Sequence, residues 1–205
     1  MAQNKTTALY VASEKGDYEG VKRLLGEGAD VNEAISDDGC SSLYAASCNR
    51  HLDVVKTLLE AGANIDQVYK YNTTPLYVAS EKGHHDVVQT LLGAGADVNI
   101  ARSDDGRRPL YIASLNAHLG VVKTLMEAGA NINQTNMYGW SPLNAASFSG
   151  HLDVVKTLLE AGANINQANN DGCSPFYSAS RNGHLGVVKT LLEAGANMNQ
   201  ADKVQ

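Results

Sequence analysis

Residues able to do chemistry are plentiful in this 205-residue chain. They include six histidines, three cysteines and the run His84-His85-Asp86, which sets three metal-ligating side chains side by side. A metal clamp there would need a further ligand at a defined spacing, and none is placed, so no metal site is expected. The serines Ser13, Ser47, Ser80, Ser114, Ser147 and Ser180 could serve as nucleophiles only with a base and an orienting group in a pocket. Cys40, Cys48 and Cys173 are too few and odd in number for a disulfide framework or a four-thiolate site, and reduced thiols are expected. Among the 19 glycines no GxxxxGK[ST] or GxGxxG loop occurs, so no nucleotide or other cofactor is implied. The Asn-x-Thr triplets at Asn4, Asn72 and Asn133 read as chance matches, since no secretory leader is visible.

The elements that carry these residues explain most of them. His51 to Ile65 (HLDVVKTLLEAGANI) recurs letter for letter from His151 to Ile165. Leu9, Leu43, Leu76, Leu110, Leu143 and Phe176 mark the same place in six units, at spacings of 34, 33, 34, 33 and 33 residues. The two extra residues are best placed at Ile35 and Arg102. One repeat position takes all four prolines and another takes five of the six histidines, the residues before each second helix, which are expected to cap the turns between helices.

Each unit predicts two short helices and a turn. Thr74-Pro75, Ser141-Pro142 and Ser174-Pro175 supply an N-cap oxygen followed by a proline whose missing N–H costs nothing at the first helical position. The first helix then stops at Gly16, Gly83, Gly150 or Gly183; Arg50 and Ala117 hold that place in two units and are expected at positive φ. Leu152, Val154, Val155, Leu158 and Leu159 give the second helix an apolar stripe wide enough for two neighbours. An extended segment and a hairpin-like turn lead onward.

In order and spacing, Thr74-Pro75-Leu76-Tyr77-Val78-Ala79-Ser80, Gly83-His84, Val87-Val88, Leu91-Leu92 and Gly95-Ala96-Asp97-Val98-Asn99 resemble the ankyrin repeats. The departures are Tyr10, Tyr44, Tyr77, Tyr111 and Tyr177, with Asn144 in the fifth unit, at the usual histidine place, and serine for the second alanine. The resemblance implies a mainly α fold, an ankyrin-repeat solenoid of helix-turn-helix units joined by β-hairpin-like turns. Its expected extent is one domain over 1–205, with units at about 2–34, 36–68, 69–101, 103–135, 136–168 and 169–201. It also implies a concave face, formed by turn tips and first helices, that grips protein partners.

Positions at which the units differ are where recognition can be tuned. Units four and five gather Leu115, Met137, Tyr138, Trp140 and Phe148, including the single tryptophan and one of two phenylalanines. Aromatic and methionine side chains concentrate at interaction hot spots, so this is the candidate protein-binding centre, flanked by Arg107 and Tyr71. Local packing of Trp140 and Phe148 over neighbouring turns is the competing reading. Asp37-Asp38 and Asp104-Asp105 are solvated turn residues or a steer for a basic peptide.

The expectation is a non-catalytic protein-binding module, not an enzyme. The alternative is an engineered or consensus-like scaffold, or a fragment of a longer array, with no assigned ligand. Sixteen Lys and Arg against 22 Asp and Glu give a net charge of −6, the wrong sign for nucleic acid. No apolar run approaches the 18 residues of a membrane span, and a cytoplasmic location is expected. Finally, Gly20 replaces the valine found at 54, 87, 121, 154 and 187, marking the stripe that faces the preceding unit. The opposite stripe ends in apolar Leu185 and Leu192, predicting either a longer array or weak end-to-end self-association.

Overall fold

The computed structural model describes residues 2–35 and 39–198; Asp37 and Asp38, expected as solvated turn residues or a steer for a basic peptide, lie outside the described residues. The chain divides after Ser103 into two compact units. Unit 1 holds α1 (Ala2–Lys15), α2 (Tyr18–Gly26), α3 (Ser42–Cys48), α4 (Leu52–Glu60), α5 (Pro75–Lys82) and α6 (His85–Gly93). Unit 2 holds α7 (Pro109–Leu115), α8 (Leu119–Glu127), α9 (Pro142–Ser149), α10 (Leu152–Glu160), α11 (Pro175–Arg181) and α12 (Leu185–Glu193). Within each unit a first helix packs on its own second helix and on the next first helix, and the second helices stack likewise. This is the helical repeat stack expected from the period, with no strand among the described residues.

Caps and ends follow the sequence. Thr74, Ser141 and Ser174 accept hydrogen bonds from the backbone N–H of Tyr77, Asn144 and Tyr177 (3.1, 3.2 and 3.2 Å), and Ser41 does the same for Tyr44. Arg108, where a hydroxyl is missing, makes no side-chain cap to its helix. Leu9, Leu43, Leu76, Leu110 and Leu143 form one buried column per unit with Val55, Leu58, Val88, Leu91, Val122, Leu125, Val155 and Leu158 of the second helices. Each such side chain contributes roughly 1.5–3 kcal/mol by leaving water.

The histidines do something other than capping. His51, His84, His151 and His184 begin second helices without a side-chain cap bond. Instead each ring Nε2–H donates back to the first helix of the preceding repeat, to the carbonyls of Glu14, Cys48, Leu115 and Phe148 at 2.9–3.0 Å. Those carbonyls lie in the last turn, where a helix has no internal donor left, so each histidine satisfies an orphan acceptor and ties two repeats together.

The two units lacking glycine at the end of the first helix carry the strain the sequence predicts. Arg50 has φ 60° and Ala117 φ 61°, the left-handed conformation that Gly83 and Gly150 adopt freely at φ 74° and 77°. Relief of that strain, partly offset by the greater freedom of glycine in the unfolded chain, should make Ala117→Gly about 0.5–1 kcal/mol more stable. Arg50→Gly should gain less, because Arg50 Nε also pairs with Asp86 at 3.2 Å, an exposed contact worth ~0–1 kcal/mol. The midpoint of urea unfolding measures both; a fall for Ala117→Gly would contradict the strain.

Gly20 has a reason within its own helix. Its N–H is capped by Asp17 Oδ1 at 2.9 Å, and a Cβ at this position would lie 2.2 Å from that carboxylate.

Candidate functional site

The turn tips are built from their own first residues. Asn136 is buried, and its Oδ1 accepts from the N–H groups of both Tyr138 and Trp140 at 3.0 Å, while its own N–H donates to the Trp140 carbonyl at 3.0 Å. Asn169 repeats the device one unit on, accepting from Asp171 and Cys173. In the fourth repeat a different residue serves: Asp105, at the place of Tyr138, accepts from the Arg107 N–H alone, at 2.9 Å. Its second oxygen lies 3.1 Å from Arg107 Nε, and this half-buried ion pair makes Asp105 a brace for the tip rather than a free charge for steering a ligand. Successive tips are hydrogen-bonded to each other, Met137 N–H to the Asp105 carbonyl and Asn170 N–H to the Tyr138 carbonyl. Gly139 is needed at this contact: at φ 79° a Cβ would approach the Asn170 amide nitrogen to 2.7 Å.

These braced tips present the aromatic residues. The Trp140 and Phe148 rings meet edge to face, with centroids 5.5 Å apart, and Phe148 is still 46% exposed. They are thus packed on each other while Phe148 keeps part of its surface open. The pair forms a ridge between two cavities. Cavity A, about 310 Å³, is lined by Arg107, Tyr111, Leu115, Tyr138 and Ala145 together with the ridge. Cavity B, about 350 Å³, lies on the other side, against Asp171, Cys173, Tyr177, Ser178 and Arg181. Arg107 stacks over the Tyr111 ring at 5.5 Å, and burial pushes the Tyr111 phenol above its ordinary pKa against the pull of that cation. Tyr111 therefore stays neutral and contributes an apolar wall.

Five of the seven residues selected from the sequence, Arg107, Leu115, Tyr138, Trp140 and Phe148, line cavity A. Met137 does not: it is 62% exposed at the tip, its Cγ against Gly106. Tyr71 belongs to unit 1, where it is 52% exposed with Lys70 and Arg102 cations over its ring, both at 5.9 Å. In unit 1 the repeat places of Trp140 and Phe148 carry no ring, being Cys40 and Cys48, then Thr73 and Glu81; instead Tyr44 packs against Tyr69 at 4.8 Å, and the Cys40 thiol points to the Tyr10 hydroxyl at 3.7 Å. Burial raises the pKa of both Tyr10 and Tyr44. None of the three cysteines is in a disulfide. No group of three metal-ligating side chains comes together among the described residues.

Sequence reasoning passed over Asn136, Asn169, Ala145 and Ser178. The first two are masked because asparagine in a turn is unremarkable by type. The last two carried a signal, a small or polar residue where Val11, Val78 and Ile112 stand in other units.

The family model described as Ankyrin repeats (3 copies) matches residues 1–69, 64–136 and 133–202. The crystal structure of the human ASB11 ankyrin repeat domain superposes with a TM-score of 0.87 at 28% identity, covering 95% of this chain and 86% of that one. Serine/threonine-protein kinase 12 of Arabidopsis thaliana is 39% identical over 67 residues, 33% of this chain and 14% of the kinase. Human mitochondrial disaggregase is 46% identical over 61 residues, 30% of this chain and 8% of that protein. The chain therefore matches only a small part of the curated relatives, and their activities remain theirs. Repeats of this kind are generally protein-interaction modules, and no described helix is long and apolar enough to cross a membrane. The chain belongs to the ankyrin repeat family.

Proposed function

We propose that the chain is a non-catalytic binding module that grips a segment of a partner protein on the face formed by the turn tips and first helices of unit 2. The observation that carries this reading is the Trp140–Phe148 ridge, an aromatic pair held in fixed geometry at 5.5 Å with cavities on both sides. Rigid aromatic surface of this kind gives contact area at little cost in side-chain entropy. Trp140→Ala or Phe148→Ala should weaken a bound peptide by about 1–2 kcal/mol, roughly five- to thirtyfold in Kd, with the helical circular dichroism unchanged. Titration of a peptide selected on the intact chain measures this. A complex whose partner sits on the second helices, indifferent to both substitutions, would refute the reading.

A second surface supports weak self-association. On and beyond α12, Leu185 is 64%, Leu192 39% and Met198 64% exposed. On α1 and α2 a cavity of about 350 Å³, lined by Val11, Ala12 and Leu24 and left open by Gly20, presents the stripe that second helices elsewhere offer to a neighbour. End-to-end contact between two copies would reproduce the packing of α10 on α12. Leu185→Glu with Leu192→Gln should abolish concentration-dependent sedimentation without lowering stability. A strict monomer at about millimolar concentration, or loss of stability in the double variant, would contradict this contact.

A further inference from the structure

Cavity A has one cation in its wall, and that cation is already oriented. Arg107 stands at the repeat place that Trp140 holds one repeat later, and both residues line the cavity. Asp105 accepts the Arg107 N–H with one oxygen at 2.9 Å and lies 3.1 Å from Nε with the other, so both oxygens are turned to Arg107. The guanidinium is also stacked on Tyr111, with Cζ 5.5 Å from the ring centroid. Ion pair and ring fix the planar group from two sides while 34% of the Arg107 side chain stays exposed, against 15% for Asp105. A guanidinium carries five N–H donors, and neither Nη1 nor Nη2 finds an acceptor among the described residues. Cavity A therefore presents a fixed fork of donors.

The same wall decides what the fork takes. Asp105 already neutralises Arg107, so the site has no surplus charge to draw a carboxylate or a phosphate. A neutral acceptor, a carbonyl oxygen, matches a fork whose charge is balanced from behind. Tyr111, Tyr138, Trp140 and Phe148 make the other walls mostly aromatic. Rings alone also suit a methylated ammonium, but here no carboxylate oxygen is turned to the cavity and a guanidinium is, which disfavours a second cation. At about 310 Å³ the cavity is at the small end of binding pockets, room for one large side chain rather than a helix face. Edge-to-face and offset contacts with the rings favour an aromatic occupant.

We infer that cavity A seats one uncharged aromatic side chain of the partner segment, while the Nη groups of Arg107 donate to a main-chain carbonyl of that segment. This rests on the groove reading above and adds the chemistry of the occupant.

The test uses a random dodecapeptide library displayed on phage and selected on the full chain, followed by titration of the enriched peptides as synthetic, labelled ligands. Enriched sequences should share one Phe, Tyr or Trp position, and alanine, glutamate or trimethyllysine there should weaken binding at least about tenfold. Leu115→Trp fills cavity A from its rim, at the repeat place where Phe148 already carries a ring. It should weaken the native peptide about tenfold and bind the peptide with alanine at the anchor no worse than the unaltered chain does, with the urea midpoint of the free protein unchanged. Arg107→Lys keeps the charge but not the fork, and should weaken every enriched peptide about five- to tenfold. Because the acceptor is neutral, the Kd of the unaltered chain should change less than about twofold between about 50 and 500 mM salt. Peptides that need Trp140 and Phe148 but bind Leu115→Trp or Arg107→Lys as tightly as the unaltered chain would overturn this inference alone. So would a preference for a glutamate or trimethyllysine anchor, or affinity that collapses with salt. Peptides indifferent to Trp140→Ala and Phe148→Ala, or no enrichment at all, would overturn the groove reading with it.

Discussion

Asn144→Ala should lower the stability of unit 2 by about 3 kcal/mol, a large loss for one small side chain. Asn144 is fully buried, and its carboxamide joins two repeats. The Oδ1 accepts from the Ser141 N–H at 3.2 Å and the Ser141 hydroxyl at 2.8 Å, while Nδ2 donates to the Cys173 carbonyl of the next tip at 3.2 Å. Alanine leaves the buried Ser141 N–H without its partner, at a cost of about 1–3 kcal/mol, takes one of two bonds from the Cys173 carbonyl, which keeps the Asn169 N–H at 3.1 Å, and removes half of a reciprocal capping box. Urea unfolding followed by Trp140 fluorescence reports this unit. A loss under about 1 kcal/mol would mean that water or a shifted side chain takes over these bonds.

The opposite effect is expected at Ser47, Ser80 and Ser147. All three are fully buried, and their hydroxyls have no hydrogen-bond partner among the described residues, whereas Ser13 and Ser114, at the same repeat position, donate to the Leu9 and Leu110 carbonyls at 2.8 and 2.7 Å. Alanine removes an uncompensated polar group and is the better helix former, so each Ser→Ala should gain about 1 kcal/mol and the triple variant about 2–3 kcal/mol. Ser13→Ala and Ser114→Ala serve as internal controls and should be neutral or slightly destabilising. Equal behaviour at all five positions in chemical unfolding would show that the hydrogen bond does not distinguish them.

What was legible in the sequence is what local chemistry dictates. Hydroxyl before proline fixed the helix starts, and the places of Arg50 and Ala117 in the period foretold their positive φ. Contacts that pair one repeat with the next were not legible, because they depend on the distance between layers rather than on residue type. The histidines looked like caps but reach back some 36 residues in sequence to a carbonyl. Asp105, read as a solvated turn residue or a steer for a basic peptide, pairs with Arg107. Met137 counted as apolar and exposed, which it is, yet a tip that turns at Gly139 leaves it outside the cavity that its neighbours Tyr138 and Trp140 enclose.

Trp140 is the single tryptophan of the chain, so its fluorescence reports the centre of the groove without labelling. Titration with a bound peptide should shift its emission and shield it from acrylamide quenching in proportion to occupancy, and Phe148→Ala should weaken both responses together. Saturable peptide binding that leaves the emission and the quenching of Trp140 unchanged would place the partner elsewhere and contradict a recognition site centred on the Trp140–Phe148 ridge.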